Sequence, residues 1–411
     1  MSFFELVPDD ILIVILLYLD YKFILSTCQL SSKLVNFSQR NLDNILRQKL
    51  NTITSLLTYD YSRQQLINLC QSSLYVKNIS TGVNHSLILS NNGQIYTFGS
   101  NIFGQLGLGD YNDRCKPTLI ESLTQIIQIS TGCSHSLALY NNNQIYAFGH
   151  NRYGQLGLGD SDLKNIPTLI PNLIDIIQIS AGIYHSLALS NKGQIYSFGW
   201  NEKGQLGLND VNNRNNPILI PNLNQIIQIS AGHHHSLVLS NNGHVYAFGY
   251  NDVDQLGLKD IIGIVTPTLI PNLNQIIQIS AGHSHSLALS NTGQIYAFGN
   301  NGYGRLGLGD YSNRNKPTLI SNLINITWLV AGSSYSLALS NNGQVYMFGN
   351  NKNVPILIPN LTHIVQIVTK YDHLLILSNK GIIYVAGSND HGQLGLGNYN
   401  NEGDPVELMS I

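Results

Sequence analysis

Charge is scarce in this chain. Lys, Arg, Asp and Glu make up 11% of its 411 residues, and the formal net charge is −2. That balance supplies no broad attraction to nucleic acid or to an acidic membrane surface, so direct nucleic-acid binding is not expected. Cysteine is equally sparse. Cys28, Cys70, Cys115 and Cys133 are the whole set, and no two are spaced as metal ligands or as a redox pair. A disulfide framework is not expected, which fits a reducing, intracellular compartment, cytoplasmic or nuclear. Long apolar runs are also missing. The run at 11–19 is too short to span a bilayer. Asp9 and Asp10 precede it where a signal peptide would carry basic residues, so no membrane role is expected. The glycosylation sequons at Asn78, Asn325 and Asn360 are accordingly expected to stay unmodified.

Apolar residues reach 43%, and Asn, Ser and Gln carry most of the polar share. These residues are arranged in a repeat. "HSLILSNNGQIYTFG" begins at His85, and close copies begin at His135, His185, His235 and His285, each 50 residues after the last. A sixth begins at Tyr335 and a divergent seventh at His373. In the unit around "SAGHHHSLVLS", residues 217–220, 226–230, 235–240 and 244–249 read as four short strands, punctuated by "PNLNQ", "AG" and "NNG". A four-stranded unit repeated seven times predicts a mainly β fold, a seven-bladed β-propeller over 75–411. The first unit lacks its own "PTLI" strand and the last is followed by a spare one. Residues 404–408 are therefore expected to close the first blade.

The pattern "SAGxxHSLALSxxGQIYAFGxNxxGQLGLGD" resembles the repeat of the regulator of chromosome condensation family. The resemblance implies a seven-bladed propeller with a protein-binding role. Some relatives are guanine-nucleotide exchange factors for a Ran-type GTPase, and others are adaptors or parts of ubiquitin ligases.

The repeat argues against several chemistries. His233, His234 and His235 suggest a metal site, yet His235 is equivalent to His85, His135, His185, His285 and His373. Equivalent residues on separate blades lie around a ring and do not converge on one ion, so no metal is expected and a local hydrogen bond at the turn is the reading for each. "GQLGLG" superficially resembles a phosphate loop, but no helix follows it and it occurs, intact or with one or two changes, in six places. Asp110, Asp160, Asp210 and Asp310 are each followed four residues later by Arg or Lys, which predicts an Asx turn with a local ion pair. No nucleophile–base pair and no paired carboxylates are evident. The chain reads as non-catalytic, without a cofactor.

Comparison among the blades locates a variable rim. The two residues after "AG" and the one after "FG" differ most, and strand parity puts them at one end of the propeller. His150, Tyr184, Trp200, His233, His234 and Tyr250 gather there, as aromatic anchors suited to a target protein or as neutral variation at tolerant turns. The fourth loop adds Ile261, Ile262, Ile264 and Val265, which read either as an adhesive patch or as packing. The sixth unit is shortened, because Tyr335 and His373 are 38 residues apart.

Residues 1–74 lack the repeat. Helical periodicity predicts a small all-α domain over 1–50 and a helical linker over 51–74. "LVPDDILIVILLYLD" and "LSSKL" resemble an F-box. That resemblance implies docking on the Skp-type adaptor of a cullin–RING ubiquitin ligase through Leu6, Pro8, Ile11, Ile15, Leu16 and Leu19. A helical cap on the propeller is the other reading of this segment. The expectation overall is a ligase substrate receptor whose rim binds the target. A regulator of a Ran-type small GTPase and a plain interaction scaffold are the rivals.

Overall fold

The structure is a computed structural model in which residues 76–259 and 263–408 are described. The chain divides at Leu74/Tyr75. The helices expected within 1–74, the adaptor-facing residues Leu6, Pro8, Ile11, Ile15, Leu16 and Leu19, and loop residues Ile261 and Ile262 lie outside the described residues.

Seven four-stranded antiparallel sheets form the propeller. In the first blade the inner strand Val76–Thr81 pairs with His85–Ser90, that with Ile95–Gly99, and that with the outer strand Arg114–Leu119. The innermost strands of successive blades lie beside one another around the axis. The second strands, such as "HSLILS", are buried at every position except the half-buried Tyr140, because each sheet is covered on both faces by its neighbours. Apolar side chains from adjacent blades merge into shared cores. Leu187, Leu189 and Ile195 of the third blade, for example, pack with Ile226, Ile229, Val238 and Phe248 of the fourth.

The expectation that 404–408 closes the first blade is wrong. Glu402–Glu407 pairs with Ile383–Gly387 inside the seventh sheet, with Gly387 opposite Glu402 and Tyr384 opposite Glu407. A repeat period fixes the length of a unit but not where the unit starts. The strand after each long loop returns to the sheet it left, so "PTLI" is the outer strand of the preceding blade. Closure is made by packing instead: Ile79, Ile88 and Phe98 of the first blade join Leu375, Leu377 and Val385 of the seventh.

Each outer strand carries a proline, at Pro117, Pro167, Pro217, Pro267, Pro317, Pro355 and Pro405. Proline interrupts the donor row on an exposed sheet edge and blocks pairing with another chain. The "NNG" loops are three-residue turns ending in a left-handed residue, such as Gly93 at φ +82°, rather than two-residue Asn-Gly hairpins. The shortened sixth unit does make a two-residue hairpin. Asn350 and Asn351 sit at φ +50° and +67°, the signature of a type I′ turn, and lead directly into the outer strand Lys352–Leu357.

The repeated histidines bond between blades rather than locally as expected. His85 Nε2 lies 3.0 Å from Ser136 Oγ of the next blade, and the same link recurs at His135–Ser186, His185–Ser236, His235–Ser286 and His285–Ser336. His373 reaches Ser86 at 2.9 Å and closes the circle. The serine hydroxyls donate to a loop carbonyl, as Ser86 does to Gln393 and Ser136 to Gln105. Their one proton is thus committed, so the histidine must be the donor through Nε2–H. Nδ1 is then bare, and it has no partner in any of the six. In the first five blades it lies over the "AG" glycine: a Cβ on Gly82 would come within 2.3 Å of the His85 ring.

The sixth link uses different chemistry. Leu374 stands where the acceptor serine would be, and Tyr335 replaces the histidine. Its hydroxyl meets Thr369 Oγ1 at 2.6 Å, while Thr369 Oγ1 donates to His373 O. Tyr335→His should therefore leave an Nε2–H without an acceptor and cost ~1–3 kcal/mol. Leu374→Ser added to it should recover most of that loss, as read by urea unfolding of the two variants.

Burial holds the ring histidines neutral: His85, His235 and His373 are pushed down to about 3, and His135, His185 and His285 well below the usual 6.5. Below pH 6.5 the unfolded chain takes up protons that the fold refuses. Stability is therefore full above pH 6.5 and falls as pH drops toward the folded values. Each histidine contributes a slope of ~1.4 kcal/mol per pH unit. The carboxylates at Asp110, Asp160, Asp210 and Asp310 are lowered from 3.8, so their stabilisation is lost only at more acid pH. The urea midpoint should accordingly decline steeply between pH 6.5 and pH 4, and a flat profile there would contradict the neutral ring.

Candidate protein-binding rim

Two backbone contacts assemble the rim in each blade. The amide after "FG" donates to the carbonyl preceding the ring histidine, as Trp200 does to Tyr184 and Tyr250 to His234, both at 2.8 Å. The "FG" glycine takes a positive φ, +106° at Gly199, where a Cβ would collide with Tyr184 O at 2.5 Å. The two variable positions are thus held side by side. Around the axis the turns are linked in turn: His233 N donates to Gly282 O and His283 N to Gly332 O, each at 3.0 Å.

The loop that follows is built from within. Asn201 is fully buried, its Oδ1 accepting from Leu206 N and its Nδ2 donating to Asp210 O, both at 2.9 Å. Asp210 accepts from Asn212 N in an Asx turn and pairs with Arg214. The same turn and ion pair occur at Asp110–Arg114, Asp160–Lys164 and Asp310–Arg314, as the spacing predicts. The loop glycines serve contact with the next blade, Gly207 lying against the Phe248 ring, so "GQLGLG" is occupied by packing. In the fourth loop Ile264 is buried in the core and Val265 is half-buried against Gly204.

The six rim residues form one continuous aromatic arc. His150 and Tyr184 have ring centroids 6.1 Å apart, Tyr184 and Trp200 6.4 Å, Trp200 and His234 4.6 Å, and His234 and Tyr250 6.2 Å. His233 contacts His234 at 3.8 Å. All six are partly exposed. The arc also contains residues not anticipated. Phe103 meets His150 at 4.9 Å, Tyr153 lies 5.3 Å from Tyr184, and His283 links His233, at 3.9 Å, to Tyr371, at 6.2 Å. Positions 103 and 153 vary among the repeats as strongly as those after "FG", and that variation was the available signal.

Burial and the neighbouring histidines hold His234 at about 4 and His233 lower still, so both are neutral imidazoles at pH 7. Among the described residues no group of His, Cys, Asp and Glu is arranged to hold a metal ion. Nor is any helix among them long and apolar enough to cross a membrane.

Two cations interrupt the repeat at the axial end of this rim. Lys370 stands where six blades have the "AG" glycine, and its ammonium crosses the axis to donate to Thr131 O, at 2.9 Å, and to Ala181 O. Arg305 replaces the glutamine of the other loops. It is 5% exposed, donates to Ser333 O at 2.7 Å, and lies over the Tyr303 ring at 5.1 Å.

Known proteins match this architecture. The RCC1-like domain family matches residues 39–232. The regulator of chromosome condensation (RCC1) repeat matches 242–289 and 292–339, and a second form of it matches four stretches between 226 and 393. Among solved structures, yeast RCC1 (Prp20) superposes with a TM-score of 0.69 at 22% identity, over 82% of this chain and 86% of that one. Human WBSCR16 gives 0.54 at 23% identity, over 82% of each chain. A stretch of 42 residues is 52% identical to the E3 ubiquitin-protein ligase MYCBP2 of Danio rerio, covering 10% of this chain and 1% of that protein. The propeller is RCC1-like in both repeat and fold.

Asn201→Ala should open the third loop without unfolding the blade. The Leu206 amide loses its acceptor, a local cost of ~1–3 kcal/mol. Hydrogen exchange at Leu206 should accelerate by about tenfold or more, while the strand amides of His185–Ser190 remain protected.

Proposed function

We propose that this chain is a non-catalytic interaction module whose aromatic rim binds a target protein, and that it acts as a substrate receptor of a cullin–RING ubiquitin ligase. The observation that carries the rim assignment is the unbroken arc from His150 through Tyr184, Trp200 and His234 to Tyr250. Partly exposed Trp and Tyr side chains fixed by neighbouring rings lose little entropy on binding and are the usual anchors of an interface. The ligase link rests on the F-box resemblance of the N-terminal segment. In this reading Leu6, Pro8, Ile11, Ile15, Leu16 and Leu19 face a Skp-type adaptor, and the ligase partners carry out the chemistry.

Regulation of a Ran-type small GTPase is the second reading, through the kinship of the repeats with RCC1. Prp20p of Saccharomyces cerevisiae binds Gsp1p and histones. A scaffold with no ligase link is the third.

The test has three arms. Wild type should co-purify with a Skp-type adaptor, and a folded Leu16→Asp variant should not. Targets captured by wild type should be lost with Tyr184→Ala plus Trp200→Ala but retained with Asn242→Ala on the opposite rim. Loss of one aromatic anchor at ~2 kcal/mol corresponds to about 30-fold weaker binding. Accelerated release of labelled nucleotide from a Ran-type GTPase, with no adaptor binding, would replace the receptor reading with the second one.

A further inference from the structure

The axial end of the rim carries positive charge without compensation. Neither Lys370 nor Arg305 lies within ion-pair distance of a carboxylate among the described residues. Asp372, two residues from Lys370, makes no pair with it and is exposed. Arg305 is almost wholly removed from water, and its Nε has no hydrogen-bond partner. Desolvated charge left unpaired is costly, so such groups are normally matched by an anion. Lys370 and His283 line the same axial cavity of about 10 Å³, and Arg305 is anchored on Ser333 O, the residue after the Gly332 whose carbonyl accepts from His283 N. The cavity has room for about one water, so an anionic group could approach Lys370 only at its mouth. Lys370 is partly exposed there, and its ammonium is pushed down to about 8 by burial. The aromatic arc reaches the same point, since His233, His283 and Tyr371 carry it to the residue beside Lys370.

We infer that the rim takes an extended segment of its protein partner bearing a carboxylate side chain, with apolar residues of that segment lying along the aromatic arc and the acid pairing with Lys370 over the Arg305 charge. This deepens the rim reading and rests on it. The charge decides the partner's sign: a basic segment would meet two desolvated cations, whereas an acidic one relieves them. Lys370 hydrogen-bonds only to backbone carbonyls, which leaves its net charge free to attract the acid.

The internal repeats supply safe variants. Arg305→Gln installs the residue found at Gln105, Gln155, Gln205, Gln255 and Gln393. Lys370→Gly installs the residue found at the other six turns. The probe is a displayed library of random short peptides, selected against the full wild-type chain, against Trp200→Ala, and against Arg305→Gln with and without Lys370→Gly. Melting curves check that each variant folds. Wild type should enrich peptides containing Asp or Glu beside apolar residues. A synthetic winning peptide should bind the double variant at least tenfold more weakly, and Arg305→Gln alone should weaken it measurably. Trp200→Ala should also weaken it.

Peptides that need Trp200 but show no acidic bias would overturn the carboxylate assignment and leave the rim reading standing. Acidic peptides indifferent to Trp200→Ala would sink the rim reading itself. Acidic peptides indifferent to both cation replacements, a preference for a labelled oligonucleotide over peptides, or no selected binder at all would overturn the proposal.

Discussion

A neutral imidazole donating to a serine on the next blade is the contact on which the propeller depends. It joins elements that share no backbone ladder, since every sheet is closed within its own blade. Side-chain amides reinforce it nearer the axis: Gln128 both donates to and accepts from Ile179 of the following blade, and Gln366 does the same for Ile79 across the closing junction. The geometry imposes requirements in both directions. A glycine lies beside the ring in every histidine blade but the seventh, where Lys370 takes its place, while a serine stands in the neighbouring second strand and a loop carbonyl takes the serine's proton. That one contact accounts for much of what recurs in the repeat: the "AG", the "HS" and the reach of "GQLGLG" back over the adjacent sheet.

The sixth and seventh units show that the requirement is for a link rather than for a particular residue. Loss of the serine at Leu374 accompanies loss of the histidine at Tyr335, and Thr369 supplies the new partner. The residue at Lys370 departs from the other turns in the same region. With glycine gone there, a side chain crosses the axis and reaches carbonyls of the second and third blades. Departure from the repeat is therefore concentrated at the junction of the sixth and seventh blades and where the axis opens onto the aromatic arc. A region relieved of one packing rule has acquired charge.

The repeat period made the blade count and the strand content legible, because alternating apolar segments broken by turn residues leave little choice of architecture. The rim was legible for a related reason. Near-identical blades act as controls for one another, so positions freed from the core stand out as His150, Tyr184, Trp200, His233, His234 and Tyr250. The phase of the unit was not legible, since a cyclic pattern has no marked start and "PTLI" adjoins two blades in sequence. The direction of the histidine bonds was hidden for a similar reason, as their acceptors are 51 residues away. Phe103 and Tyr153 were missed because they belong to loops read as local turns, although they complete the arc. The ionic pairs at Asp110, Asp160, Asp210 and Asp310 were legible because they are local, four residues apart.

That each sheet is made from one continuous stretch of chain has a consequence for descent. Six connections run from an outer strand to the next inner strand, and the gap between Glu407 and Val76 is the seventh of the same kind. Covalent and spatial units therefore coincide, and a duplicated length of gene adds a whole wedge without dividing a strand between two sheets. A ring assembled this way can lengthen by copying and then differentiate copy by copy. The nearly uniform second to fifth units beside the altered sixth and seventh have the appearance of that history.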